Sequence, residues 1–219
     1  MPLRLPIMRA RAIAGYALAV LALAYTTLVI AWRPWHRDWG STADERRAPL
    51  PGDSFSSAPE RAGDRAIPID APADRVWPWL LQLGEDRGGF YSYTSLENLF
   101  GLHIVNAVRI QPEWQSLAAG DFVQAVPPDW LGGAFGDRIG WEVDEVDGER
   151  HVLALRYWVF QVESVDQRSS RLHVRPYAGD APLPIPLLLL TFEPAHFIME
   201  RATLEGIKRR AEGPSHQPS

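Results

Sequence analysis

Six residues with polar tips, Tyr91, Tyr93, Glu97, Asn98, His103 and Asn106, fall within 16 positions. One loop and one short helix could turn them into a common cavity. An apolar pocket with a few oriented polar groups is how ligand sites are built. Tyr91 and Tyr93 equally suit core packing with one hydroxyl satisfied. Glu97 and His103 are the candidate general acid and base of this set, although no third group that would orient them is apparent. Arg87-Gly88-Gly89 could offer backbone N–H groups and a guanidinium to an anion, or be an ordinary turn. His196 and Glu200 stand at i, i+4, a spacing that can hold metal but is also that of a plain helix-surface pair; no metal site is expected. The sequence has no cysteine, which removes thiolate nucleophiles, disulfides and zinc–thiolate sites. It also has no Gly-rich phosphate loop with a lysine and no Gly-x-Ser-x-Gly elbow.

The elements that would position these residues follow from hydrophobic periodicity. Ile67 and Ile69 alternate as in a half-buried strand, and Pro68 places that strand at an edge or bulge. A helix is expected from Asp70 to Gly84, with Val76, Trp79, Leu80 and Leu83 on one face and a kink or break at Pro78. A second helix spans roughly Ser95 to Phe100. Beyond Ala107 the period shifts towards two. Strands are expected at 122–126, 141–146, 151–156, 157–165 and 172–177, with Asp147-Gly148 a strong hairpin signal. Strands joined by tight turns make an antiparallel meander. Trp130-Leu-Gly-Gly-Ala-Phe-Gly136 interrupts them as a mobile apolar loop, suited to a lid, a lipid contact or a long connection.

A helix from about Pro194 to Ala211 ends the domain. Ala195, Ile198, Met199, Ala202 and Gly206 fall on one side of its wheel; Phe197, Leu204, Ile207 and Ala211 fall on the other, with charges on the flanks. Two apolar stripes call for two partners. Met199 and the small residues Ala195, Ala202 and Gly206 would line a cavity, since Met adapts to irregular ligands and small residues leave volume.

Near the N-terminus, Ala12 to Trp32 is a run of 21 uncharged residues. As a helix it is roughly 30 Å long, matching the hydrocarbon core of a bilayer. Arg9 and Arg11 flank it on one side; Trp32, Arg33, Trp35, His36, Arg37 and Trp39 flank it on the other, as at a membrane interface. A cleaved signal peptide is the rival, with Ala22-Leu-Ala24 as its cleavage site, but the apolar run continues past that point. Basic residues on the two sides nearly balance and leave orientation open. The chain thus divides into a flank (1–11), a transmembrane helix (12–32), a juxtamembrane linker (33–64), one α+β domain (65–212) and a disordered tail (213–219). A formal net charge of −5 argues against a nucleic-acid partner.

A strand, two short helices, a run of antiparallel strands and a long last helix is the order of the helix-grip fold. With that order, Ala71-Pro-Ala-Asp-Arg-Val-Trp-Pro-Trp-Leu80, Arg87-Gly-Gly-Phe-Tyr-Ser-Tyr93, Leu96-Glu-Asn-Leu-Phe-Gly101, Phe197-Ile-Met-Glu200 and Gly206-Ile-Lys-Arg-Arg-Ala-Glu212 resemble the SRPBCC superfamily (START-like and birch-pollen-allergen-like domains). The likeness is to a bacterial branch with an N-terminal membrane helix and covers about residues 38–212. It implies a curved sheet gripping the last helix around an apolar cavity, in a superfamily that runs from hydrophobic-ligand carriers to polyketide cyclases. The expected function is a membrane-anchored module, not an enzyme, that needs no cofactor and binds a lipid-like or other hydrophobic small molecule. Trp79, Tyr91, Tyr93, Asn98, Asn106, Trp130, Phe135, Met199 and Ala202 are its expected ligand contacts. The alternatives are a cyclase- or hydrolase-type enzyme using Glu97 and His103, and an interaction protein with a filled core. Oligomeric state is not legible.

Overall fold

The computed structural model describes residues 4–50, 53, 61–134, 136, 138–177 and 188–213. Helix α1 runs over Arg4–Arg37 and is long and apolar enough to cross a membrane. Leu18, Leu21 and Leu28 on it are about two-thirds exposed. The helix does not stop at Trp32. It continues through Pro34 to Arg37, where its last turn docks on the domain, so the expected linker begins as rigid helix. Pro34 removes only one intrahelical hydrogen bond, and the docked aromatic side chains hold the turn.

Helix α2, Ala43–Arg47, follows, with a capping box between Thr42 and Glu45. It is pinned to the sheet by two arginines. Arg171 Nε lies 2.5 Å from Glu45 Oε1, and the buried Arg175 donates to the Glu45 carbonyl at 3.1 Å while also bonding Asp64 at 2.6 Å and Asp53 at 3.0 Å. Leu50 packs there with Val152, Ala154, Val159 and Tyr177. The segment after α1 therefore covers the outer sheet face.

The domain proper is α+β. Strands β1 (Arg65–Ile69), β2 (Phe122–Gln124), β3 (Gly140–Asp147), β4 (Val152–Leu155), β5 (Trp158–Ser164) and β6 (Ser170–Pro176) form one curved antiparallel sheet. Its order is β1-β6-β5-β4-β3-β2. The meander β3 to β6 is the expected one, within two residues at each end. Pro68 is tolerated because β1 is the edge strand, paired only with β6. The β3–β4 pairing slips between Val143 and Glu145, a bulge that adds bend and twist. Asp147 closes that hairpin by accepting the N–H groups of Glu149 and Arg150, both at 2.9 Å.

Between β1 and β2 lie α3 (Ala73–Leu81) and α4 (Thr94–Leu99). Of the kink or break expected at Pro78, the break does not occur: α3 runs through it as one helix, burying Val76, Trp79 and Leu80. After β6, a π-helical turn over Leu188–Phe192 leads into α5, Glu193–Glu212. Leu204, Ile207 and Ala211 of α5 join Ile67, Ile69, Leu80, Leu153 and Phe160 in the main core.

Gly206 serves close approach, not cavity volume. A methyl group there would overlap the Tyr91 carbonyl oxygen and crowd its Cβ, and Tyr91 itself holds a positive φ of 58°. In an exposed helix Gly→Ala is stabilising by about 1 kcal/mol. Here Gly206→Ala is expected to destabilise the full chain by about 1–3 kcal/mol through overpacking, read from its denaturation midpoint in detergent micelles. A midpoint at or above wild type would refute the close approach.

Candidate functional site

A cavity of about 150 Å³ lies between the sheet and α5. Its walls come from Ala125 at the end of β2, Trp141 of β3, Trp158 of β5, and the loop and helix residues Phe90, Ser92, Glu97, Leu102 and Ile104. His196, Met199, Glu200 and Thr203 of α5 close it. An engineered cavity of this volume in another protein admits benzene. The aromatic wall is continuous: Trp141 stands 5.2 Å from Trp158 and 6.0 Å from Phe90, centroid to centroid.

Two buried carboxylates reach this apolar space, and their partners differ. Glu200, 2% exposed, is fully compensated. Arg65 Nη1 donates to it at 2.6 Å and Trp158 Nε1 at 2.8 Å. Arg65 is itself 1% exposed, and its Nε donates to the His36 carbonyl at 2.8 Å. Its guanidinium also lies 5.2 Å from the Phe197 ring centre. Glu97 is 1% exposed but accepts only neutral donors, Ser92 Oγ at 2.5 Å and Asn106 Nδ2 at 3.2 Å. Among the described residues no basic side chain comes within 4.0 Å of it. Burial holds the His196 imidazole below its usual value, with Glu200 opposing and Arg65 reinforcing the shift.

The expected ligand contacts separate. Among the described residues, Met199 alone of them lines the cavity, and Glu97, expected as a general acid or base, lines it as well. Asn106 acts one step behind it: its Oδ1 accepts the Tyr91 N–H and its Nδ2 holds Glu97 and Thr94. Trp79, Tyr91 and Ala202 are buried core residues outside the cavity wall. Tyr91 packs edge-on to Trp79 at 5.7 Å and donates its hydroxyl to the Trp79 carbonyl, so desolvation raises its phenol well above the usual range. Tyr93 and Asn98 are exposed on α4 or at its start, because the faces of that short helix which they occupy point to solvent. Trp130 lies outside the cavity wall and bonds the Phe100 carbonyl at 2.7 Å through Nε1. Phe135 lies outside the described residues.

Other expectations change for physical reasons. His103 sits exposed in the loop after α4 with φ 52° and does not meet Glu97, so no acid–base pair is assembled. The amides of Gly88 and Gly89 bond Gln82 and Gly84 carbonyls, and Arg87 bonds that of Trp114, leaving that turn no set of free donors for an anion. His196 stands 4.0 Å from Glu200, whose oxygens Arg65 and Trp158 already occupy. No cluster of metal-ligating side chains occurs among the described residues. Ala195 is exposed and lines nothing.

Sequence reasoning missed the aromatic wall and the role of Glu200. Glu200 lies at i+3 from Phe197 and i−4 from Leu204, inside the buried stripe and not on its flank. Arg65 shares the parity of Ile67 and Ile69 and so faces the same side of β1. Each was a charged residue in a core register, which is the signal that would have found them.

No protein-family model and no curated protein sequence matches this chain.

Removing one partner of a buried pair leaves an uncompensated charge and typically costs 3–5 kcal/mol, whereas an apolar replacement of both is often neutral. Arg65→Met and Glu200→Leu are each expected to destabilise by about 3–5 kcal/mol, and the double variant by clearly less than their sum. Urea unfolding of the full chain in micelles, followed by tryptophan fluorescence, reads the cycle; additive losses would mean the pair is not coupled.

Proposed function

We propose that this protein is a membrane-anchored binding domain of helix-grip, START-like (SRPBCC) type, taking a hydrophobic small molecule between its sheet and its last helix. The cavity carries the reading: its volume is one that admits benzene elsewhere. It is walled by aromatic rings and Met199, and it is reached by Glu97, which has no cationic partner among the described residues. The strand order, with two helices between β1 and β2 and a long helix after β6, supports the fold assignment. The apolar helix α1 supports the anchor.

The cavity's size restricts the ligand. A whole lipid is too large, so the occupant is a compact apolar molecule or one end of a longer one. Glu97 adds a chemical preference. A carboxylate can accept about four hydrogen bonds, and two donors reach Glu97. A buried polar group left short of hydrogen-bond partners is costly. A ligand with an amine or another strong donor on an apolar body meets that need, with the rings of Phe90, Trp141 and Trp158 favouring a cation. The filled-core alternative is disfavoured by the cavity itself. The enzyme alternative has lost its pair, because His103 is at the surface.

A ligand that binds only the folded state raises its melting temperature. Benzylamine is expected to raise that of the full chain in micelles more than toluene does, and the advantage should shrink in Glu97→Gln. Ala125→Phe, which fills the cavity, should lose the response to both probes. Equal shifts in wild type and the filled variant would be micelle effects and would overturn the reading.

A further inference from the structure

Along α1 the contacts with the domain begin well before the helix ends. Arg33, the first charge after the apolar run, pairs with Glu193 at 3.0 Å. Eight positions earlier, Tyr25 donates its hydroxyl to the backbone carbonyl of Leu190, in the π-helical turn Leu188–Phe192 that opens α5. Eight residues of helix cover about 12 Å along the axis. The turn therefore lies beside the apolar part of α1 and not beyond its end.

Length decides what surrounds that turn. Only 13 uncharged residues, Ala12 to Ala24, precede Tyr25, and as a helix they cover about 20 Å. A hydrocarbon core of about 30 Å needs the full run to Trp32. If the level of Tyr25 were at the water interface, Arg11 would be drawn into the hydrocarbon. With Ala12–Trp32 spanning, Tyr25 and the turn beside it lie below the headgroups, and the Arg33–Glu193 pair marks the interface.

The turn is built for such a place. Phe192 is 54% exposed, and Leu28 and Ile30 of α1 are likewise exposed. In sequence, residues 181–190 hold no charged side chain, and three of them are prolines, which have no N–H to satisfy. In hydrocarbon an unpaired backbone carbonyl is costly. The Tyr25 hydroxyl supplies the donor for that of Leu190.

We propose that the Leu188–Phe192 turn is a second membrane-embedded element, carried below the headgroups beside α1, so that the domain sits partly immersed in the bilayer. This rests on α1 being the anchor. The absence of cysteine makes the test direct. Single cysteines are placed at Phe192→Cys and Leu189→Cys, at Leu18→Cys within α1, and at Val165→Cys, an exposed position in the β5–β6 hairpin. Each full-length variant is spin-labelled in phosphatidylcholine–phosphatidylglycerol vesicles, and collisions with oxygen and with a water-soluble nickel chelate are compared. The nickel-to-oxygen ratio at 192 and 189 is expected to fall several-fold below that at 165 and to approach that at 18. A ratio at 192 and 189 equal to that at 165, with 18 in lipid, overturns the immersion and leaves the anchor standing. Position 18 in water would overturn both.

Discussion

The buried ion pair between Arg65 and Glu200 is the constraint around which the rest of the structure is arranged. It lies where β1, β5, α5 and the end of α1 meet, and it borders the cavity. A charge pair this deep is tolerable only when its remaining hydrogen-bonding capacity is also met. Trp158 supplies the second donor to the carboxylate, and the His36 carbonyl accepts from the guanidinium. That carbonyl belongs to the last turn of α1, whose terminal C=O groups have no intrahelical partner and whose dipole end favours a cation. One arginine thus completes the sheet–helix contact and caps the apolar helix.

A mechanical consequence follows for the junction. Residues after the apolar run behave as a docked element. Trp32, Trp35, His36 and Trp39 surround the Phe197 ring with centroid separations of 5.3–6.1 Å, and Arg37 bonds the carbonyls of Arg61 and Ala62. The chain then wraps the outer sheet face under the hold of Arg171 and Arg175. The domain is therefore fixed in angle to α1 over several independent contacts. This fixed angle is also what brings the first turn of α5 alongside the apolar helix.

The cavity is a by-product of the same geometry. Trp158 turns its indole N–H towards Glu200, so its ring forms wall instead of filling the space. Gly206 lets α5 close against Tyr91 lower down, and the gap remains only at the upper turns, where His196, Met199, Glu200 and Thr203 face Trp141 and Phe90. Glu97 is held there by hydrogen bonds from Ser92 and Asn106.

Much was legible in the residues taken alone. The 21-residue uncharged run, the alternation through β3 to β6, the Asp147-Gly148 turn and the Phe197, Leu204, Ile207 and Ala211 stripe of α5 are local patterns, and local patterns report an element and its buried face. The opposite stripe was expected to be covered as well, but Ala195 and Ile198 on it are exposed. Local patterns also pointed to Glu97 and Met199, which the structure places on the lining of one cavity. What they could not supply was which polar residues converge. His103 and Glu97 are six positions apart, yet one stands exposed in a loop while the other is buried. Arg65 and Glu200 are 135 positions apart and touch. Proximity of that kind is set by sheet order and by the angle at which α5 crosses the sheet. These depend on long-range packing and desolvation, and so only the tertiary structure decided the charge balance of the cavity and the rigid seating of the apolar helix.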